Sequence, residues 1–175
     1  SRLVQEIIKE LKNANFKVFE GDCVSYGRSL SYHPWINILM DFFNIRPMDS
    51  LKKRKDKILQ SIKKIDPKLI DWLPVIGEVI GVKFPENNLT KFLDAKIRKQ
   101  RFFDIAFDLL KYTSRKNPVC VTIEDLHWVD SVSLELINYI GRNLYDKPIL
   151  LILVFRPIKG KVEFMEKDFY NPIVL

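Results

Sequence analysis

The chain has 175 residues, with 29 Lys and Arg against 22 Asp and Glu for a net charge of +7, and 47% of its residues are hydrophobic. That size and apolar content suit one domain with a sizeable core and are too hydrophobic for a disordered chain. The longest apolar run, residues 149–155, is about a third of the roughly 20 residues a membrane-spanning helix needs.

No secretory leader opens the sequence. Cys23 and Cys120 stand apart, with no CxxC and no nearby histidine pair, which argues against a disulfide framework or a zinc site and predicts a reducing, cytoplasmic setting. In that setting the sequon Asn88-Leu89-Thr90 is a chance match.

Residues 3–11 place Leu3, Val4, Ile7, Ile8 and Leu11 on one stripe, predicting an amphipathic helix that Asn13 and Asn15 end. Residues 16–23 (FKVFEGDC) read as a short strand running into a Gly-Asp turn. After a polar loop over 24–32, Pro34 suits the first turn of a helix whose buried face is Trp35, Ile38, Leu39, Phe42 and Phe43. Residues 47–92 read as short helices joined by turns and interrupted by Pro47, Pro67, Pro74 and Pro85.

Inside that stretch, residues 52–64 hold seven Lys or Arg and one Asp, a local charge of +6. A stripe of this kind suits contact with nucleic acid or another anionic surface. It equally suits a solvated helix face with Ile58, Leu59, Ile62 and Ile65 turned inward, and this second reading is favoured. A longer helix follows over 93–112, with Phe103, Ala106, Phe107 and Leu110 on one side, and residues 114–118 (SRKNP) break it.

The last third carries the chemistry. Residues 119–123 and 149–155 are continuous apolar runs, as expected of strands buried on both faces in a parallel sheet. Between them lies one helix, with Leu136, Ile137, Ile140 and Leu144 at core spacing, so the unit is βαβ and the fold class is three-layer α/β. The first of these strands ends in Glu124 and Asp125, at the carboxyl edge where open α/β sheets bind ligands. Adjacent carboxylates there suit a divalent metal carrying phosphate, one acid holding Mg²⁺ and the other orienting or deprotonating a water. Asp130 reads as the cap of the helix that starts near Ser131. Ser131, His127 and Asp130 are crowded into one turn without a glycine elbow and do not read as a hydrolytic triad.

The segment EDLHWVDSVSLELINYI, followed one strand later by LLILVFRP, resembles the Walker B and fourth-strand segments of STAND-type signalling ATPases. These belong to the AAA-like P-loop superfamily and occur in maltose-activator-type transcription regulators and soluble adenylyl cyclases. Upstream, LDAKIRKQRFFDIAFDLLKYTSRKNPV is similar to the helix leading into Walker B. GDCVSYGRSLSYHPWINIL is similar to the segment after the second strand. The resemblance implies a three-layer αβα P-loop NTPase-like core with a parallel sheet and a helical insertion in the proline-interrupted middle.

It also implies site roles. Glu124 matches the metal-holding position, where the family commonly has Asp, and Asp125 matches the position that activates water beside the metal. Arg156 matches a polar position that senses the γ-phosphate of ATP. His127 and Trp128 belong to the family signature, and packing under the site accounts for them as well as a direct role does.

The opening Ser1-Arg2-Leu3 resembles the end of a Walker A loop, with Ser1 its last, nucleotide-contacting residue. No G-x-x-x-x-G-K-[ST] occurs in the 175 residues. Residues 1–175 are therefore expected to be a single partial domain without the first and fifth strands. Its parent domain should bind and hydrolyse ATP with Mg²⁺; the chain by itself, lacking the backbone cradle and the lysine, should bind ATP negligibly and be inactive.

The implied strand order puts the 16–23 strand outermost, then Walker B, then the strand leading to Arg156, whose far edge is left open. Self-association through that edge is expected. The other expected partners are ATP or ADP and further domains of the same polypeptide. The alternative is a non-catalytic interaction or nucleic-acid-binding module that uses the 52–64 stripe.

Overall fold

A computed structural model describes residues 2–25, 30–156 and 170–173. Ser1 lies outside the described residues. Helix α1 (Arg2–Asn13) leads into strand β1 (Lys17–Asp22), and α2 (His33–Phe42) and α3 (Leu51–Ile65) follow. A 3-10 turn (Pro67–Trp72) and α4 (Leu73–Val79) precede the long α5 (Ala95–Ser114). Strand β2 (Val119–Glu124), a 3-10 turn (Leu126–Trp128), α6 (Ser131–Arg142) and β3 (Ile149–Leu153) complete the described elements.

Among the described residues the sheet has three strands in the order β1-β2-β3, all parallel. This is the α/β architecture and the strand order that the sequence motifs imply. The central strand β2 is buried along its apolar length, and alternation divides its side chains between two cores. Cys120 joins Val18 of β1 beneath Val4 and Ile8 of α1, with Ile152 and Val154 packed alongside. Val119, Val121 and Ile123 join Phe19 and the apolar faces of α2 to α6 on the opposite side. One helix on one face and five contributing to the other make three layers.

The middle of the chain differs from the expectation of short helices. Helix α3 runs for 15 residues, and two prolines begin elements rather than interrupt them. Pro67 opens the 3-10 turn and Pro74 sits in the first turn of α4, where a missing N–H costs nothing. Strand β3 closes at Leu153, two residues earlier than its apolar run, although Val154 still donates to Ile123 O at 2.9 Å and accepts from Leu126 N at 2.9 Å.

Gly21 holds β1 against α2. A Cβ there would lie 2.7 Å from Pro34 O and 3.0 Å from Ile38 Cδ1, so the close approach of helix and strand requires the absent side chain.

The basic stripe has a structural use. Ile58 and Ile62 are fully buried, with Leu59 and Ile65 packed at the rim of the same core. Three of the outward cations fold back on the preceding turn. The buried Asp49 carboxylate accepts from Arg46 N at 2.8 Å, Lys57 Nζ at 2.6 Å and Lys53 Nζ at 2.9 Å. Arg54 donates to Asp49 O at 3.0 Å and to Pro47 O at 2.9 Å, and Lys57 also donates to Asn44 O. Lys53, Arg54 and Lys57 thus spend their charge on anchoring the start of α3, which weakens the nucleic-acid reading of the stripe.

The backbone N–H of Arg46, then Lys57 and Lys53, hold the Asp49 carboxyl well below its ordinary value of 3.8. A carboxyl depressed by folding contributes stability that is present above its unfolded pKa and is lost as pH falls below it. Acid melts should therefore show the wild type losing stability below about pH 4. Asp49→Asn should be less stable at neutral pH and flatter in that window; parallel pH profiles of the two proteins would remove Asp49 as the anchor.

Candidate active site at the carboxyl edge of the sheet

Three parallel strands deliver their C-terminal ends to one edge. Asp22 ends β1 in register with Glu124 of β2, and Ile123 is in register with Leu153 of β3. The backbone beyond Ile123 is gripped from both sides. Cys23 N donates to Glu124 O at 3.0 Å, and Leu126 N donates to Val154 O at 2.9 Å. Leu126 is 1% exposed and plugs into the core, so the chain must turn sharply between Glu124 and Leu126.

Asp125 makes that turn in the left-handed region, with φ 55° and ψ 37°. This conformation costs most residues roughly 1–2 kcal/mol, and Asp and Asn tolerate it best. Its side chain is 63% exposed, and Asp125 Oδ1 lies 4.0 Å from His127 Nδ1. The turn therefore projects Asp125 off the edge into solvent, while Glu124, the last residue of β2, is half-buried beside it.

The flanking segments are fastened to each other. Asp130 caps α6, with Oδ1 accepting from Ser133 N at 2.9 Å. The same oxygen accepts from Tyr32 N at 3.3 Å, and Trp35 Nε1 donates to Ser133 O at 3.4 Å. These bonds tie the chain after β1 to the chain after β2. They also confirm Asp130 as a cap: Oδ1 faces backbone N–H groups, and no Ser131-His127-Asp130 relay forms. The His127 and Trp128 rings pack 5.0 Å apart, both half-buried.

Asp22, at the end of β1, is an acid that the reading of FEGDC as a turn overlooked. It is the last strand residue and accepts from Asn37 Nδ2 at 2.8 Å. Only the register with β2 brings it beside Glu124. Burial first, then Asp130, Asp22 and Asp125, push the Cys23 thiol up to about 12. This cysteine is a protonated, buried neighbour of the acidic edge rather than a nucleophile.

Arg156 is exposed, three residues beyond β3, on the strand next to Asp125. Glu124, Asp125 and Arg156 thus reach the same edge. Among the described residues no group of three or more His, Cys, Asp or Glu could enclose a metal ion. Two neighbouring carboxylates at an open edge do not build a zinc or calcium cage. They match the donor set of Mg²⁺, which takes one or two carboxylates and fills its remaining positions with water and phosphate oxygens.

A parallel α/β sheet with an acid pair at the carboxyl end of its central strand defines the class of nucleotide-handling domains. The chain belongs to the AAA ATPase domain family, whose model matches residues 1–152. It is also similar to an uncharacterized protein, R02095, of Rhizobium meliloti (strain 1021), at 23% identity over 159 residues. The match covers 90% of this chain and 15% of that protein, so the chain spans a small part of the curated relative's length. No solved structure matches it. No helix among the described residues is long and apolar enough to cross a membrane.

Proposed function

We propose that residues 1–175 form the Walker B side of the nucleotide-binding core of a STAND-type, ATP-driven signalling switch that works in the cytoplasm. The observation that carries this reading is the acid pair Glu124-Asp125 at the carboxyl end of the buried central strand, with Asp125 turned out by a left-handed backbone. In this reading Glu124 holds Mg²⁺ directly or through water, and Asp125 lines the same metal site. When bound, the ion offsets the charge of the phosphates.

Asp125, exposed and hydrogen-bond capable, accepts the proton of a water aimed at the γ-phosphate, as a general base does in phosphoryl transfer. Arg156, on the next strand, faces the charge that develops on the γ-phosphate, and Ser1 contacts the nucleotide from the end of the Walker A loop. ATP-bound and ADP-bound states then differ in how other domains of the polypeptide dock.

The phosphate cradle itself belongs to sequence before Ser1, and its strand would pair with the outer edge of β3. Without that partner the edge is a template for a second copy of the chain. Titration with a fluorescent ATP analogue tests the assignment. The full-length protein should bind with Mg²⁺ dependence and the 175-residue chain negligibly; micromolar, Mg²⁺-dependent binding by the 175 residues alone would refute it.

A further inference from the structure

Residues 84–94, between α4 and α5, form an irregular loop with its own hydrogen-bond network. Asn87 Oδ1 accepts from Leu89 N at 2.8 Å and Thr90 N at 3.1 Å, and Thr90 Oγ1 accepts from Asn87 N at 3.1 Å. Asn87 Nδ2 donates to Asp71 O at 2.7 Å, which moors the loop to the 3-10 turn. From the first turn of α5, Arg98 donates to Thr90 O at 2.9 Å, to Glu78 at 2.8 Å and to Glu86 at 2.8 Å. Thr90 is completely buried.

This fixed backbone holds large apolar side chains out in solvent. Phe92 is 84% exposed and Leu89 54%, and Ile97 follows at 50% on the first turn of α5. Scattered exposed apolar residues are ordinary, but three within nine residues, on a loop whose network prevents them from folding inward, make a patch. Its charge is one-sided. Glu78 and Glu86 are engaged by Arg98, and Asp94 caps α5 by accepting from Ile97 N at 2.8 Å. Lys91 lies 4.8 Å over the Phe92 ring, and neither Lys91 nor Lys96 makes an ion pair among the described residues.

The patch sits at the same end of the molecule as the candidate site. Helix α5 runs back toward the start of β2, so its beginning lies at the carboxyl edge. Lys99 meets Glu135 in the second turn of α6 at 2.6 Å, and Phe102 packs 4.9 Å from Tyr32.

We propose that this loop is a docking knob: Leu89 and Phe92 insert into an apolar pocket rimmed by carboxylates on another domain of the same polypeptide. Positive charge around an apolar centre selects an acidic rim around an apolar hollow. The curated relative supplies the setting, since the matched region is 15% of its length and the remainder offers domains to dock. The knob does not include Glu124 or Asp125, so its failure leaves the ATPase reading untouched.

The test is photo-crosslinking in the full-length protein carrying p-benzoylphenylalanine in place of Phe92, with the adduct located by mass spectrometry. The expected product is an intramolecular crosslink to one segment outside residues 1–175 that contains Asp or Glu. Its yield should fall at least about five-fold in the Lys91→Glu, Lys96→Glu double variant. Both lysines are exposed, and an unchanged melting temperature confirms that the variant folds. No crosslink beyond residues 1–175, a crosslink only to a second copy, or a yield indifferent to the charge reversal would each overturn the proposal.

Discussion

Asp125→Asn in the full-length protein is expected to lower ATP turnover by about 10²–10⁴-fold, the span attributed to a positioned general base, while changing ATP affinity little. The substitution is a clean one for a structural reason. Position 125 sits at φ 55°, and Asn is the residue that tolerates that region as well as Asp does. The turn into Leu126 therefore survives while the proton acceptor is lost.

Asp125→Ala would add backbone strain to the loss of the carboxylate and blur the result. If Asn at 125 left turnover within about three-fold of wild type, proton transfer by this residue would be removed from the account, because even a modest general base contributes more. Steady-state phosphate release gives turnover, and a nucleotide titration on the same sample gives affinity.

Trp35→Ala should bring the largest loss of stability, about 3–5 kcal/mol, out of the roughly 5–15 kcal/mol that holds a domain together. Trp35 is 2% exposed in α2, and its indole N–H reaches Ser133 O at 3.4 Å in α6. It therefore fills the core and joins the two helices that flank the carboxyl edge. Trp35→Phe separates the contributions: it keeps most of the apolar volume and forfeits the hydrogen bond, worth about 1 kcal/mol. Denaturant unfolding of the domain measures both, and equal losses for Ala and Phe would show that packing at this position matters little.

Much of this architecture is legible in the residues themselves. The runs at 119–123 and 149–155 are unbroken because both faces of the sheet are covered, and the structure buries β2 on both sides. Asp130 reads as a cap because an N-cap is a local matter, settled within three residues by Ser133 N.

What the sequence conceals depends on neighbours far along the chain. Asp22 reads as part of a turn until register sets it beside Glu124, about a hundred residues later. The left-handed backbone of Asp125 arises because Cys23 and Val154 pin the residues on either side, which no local pattern encodes. Asp49 is a middle case. Its spacing to Lys53 and Lys57 is helical and readable, but its burial is not, so the lysines pass for a free basic face when two of them neutralise one acid.

The exposed apolar loop is concealed for the opposite reason. Phe92 looks like core until the Asn87–Thr90 network is seen to hold it outward.

The most direct measurement of the central claim is a Mg²⁺ titration of ATP hydrolysis by the full-length protein and by its Glu124→Gln variant. If Glu124 manages the metal, the variant should need at least about ten-fold more Mg²⁺ for half-maximal activity, in line with losing one carboxylate from a site that uses only one or two. Superimposable Mg²⁺ dependences would contradict the account.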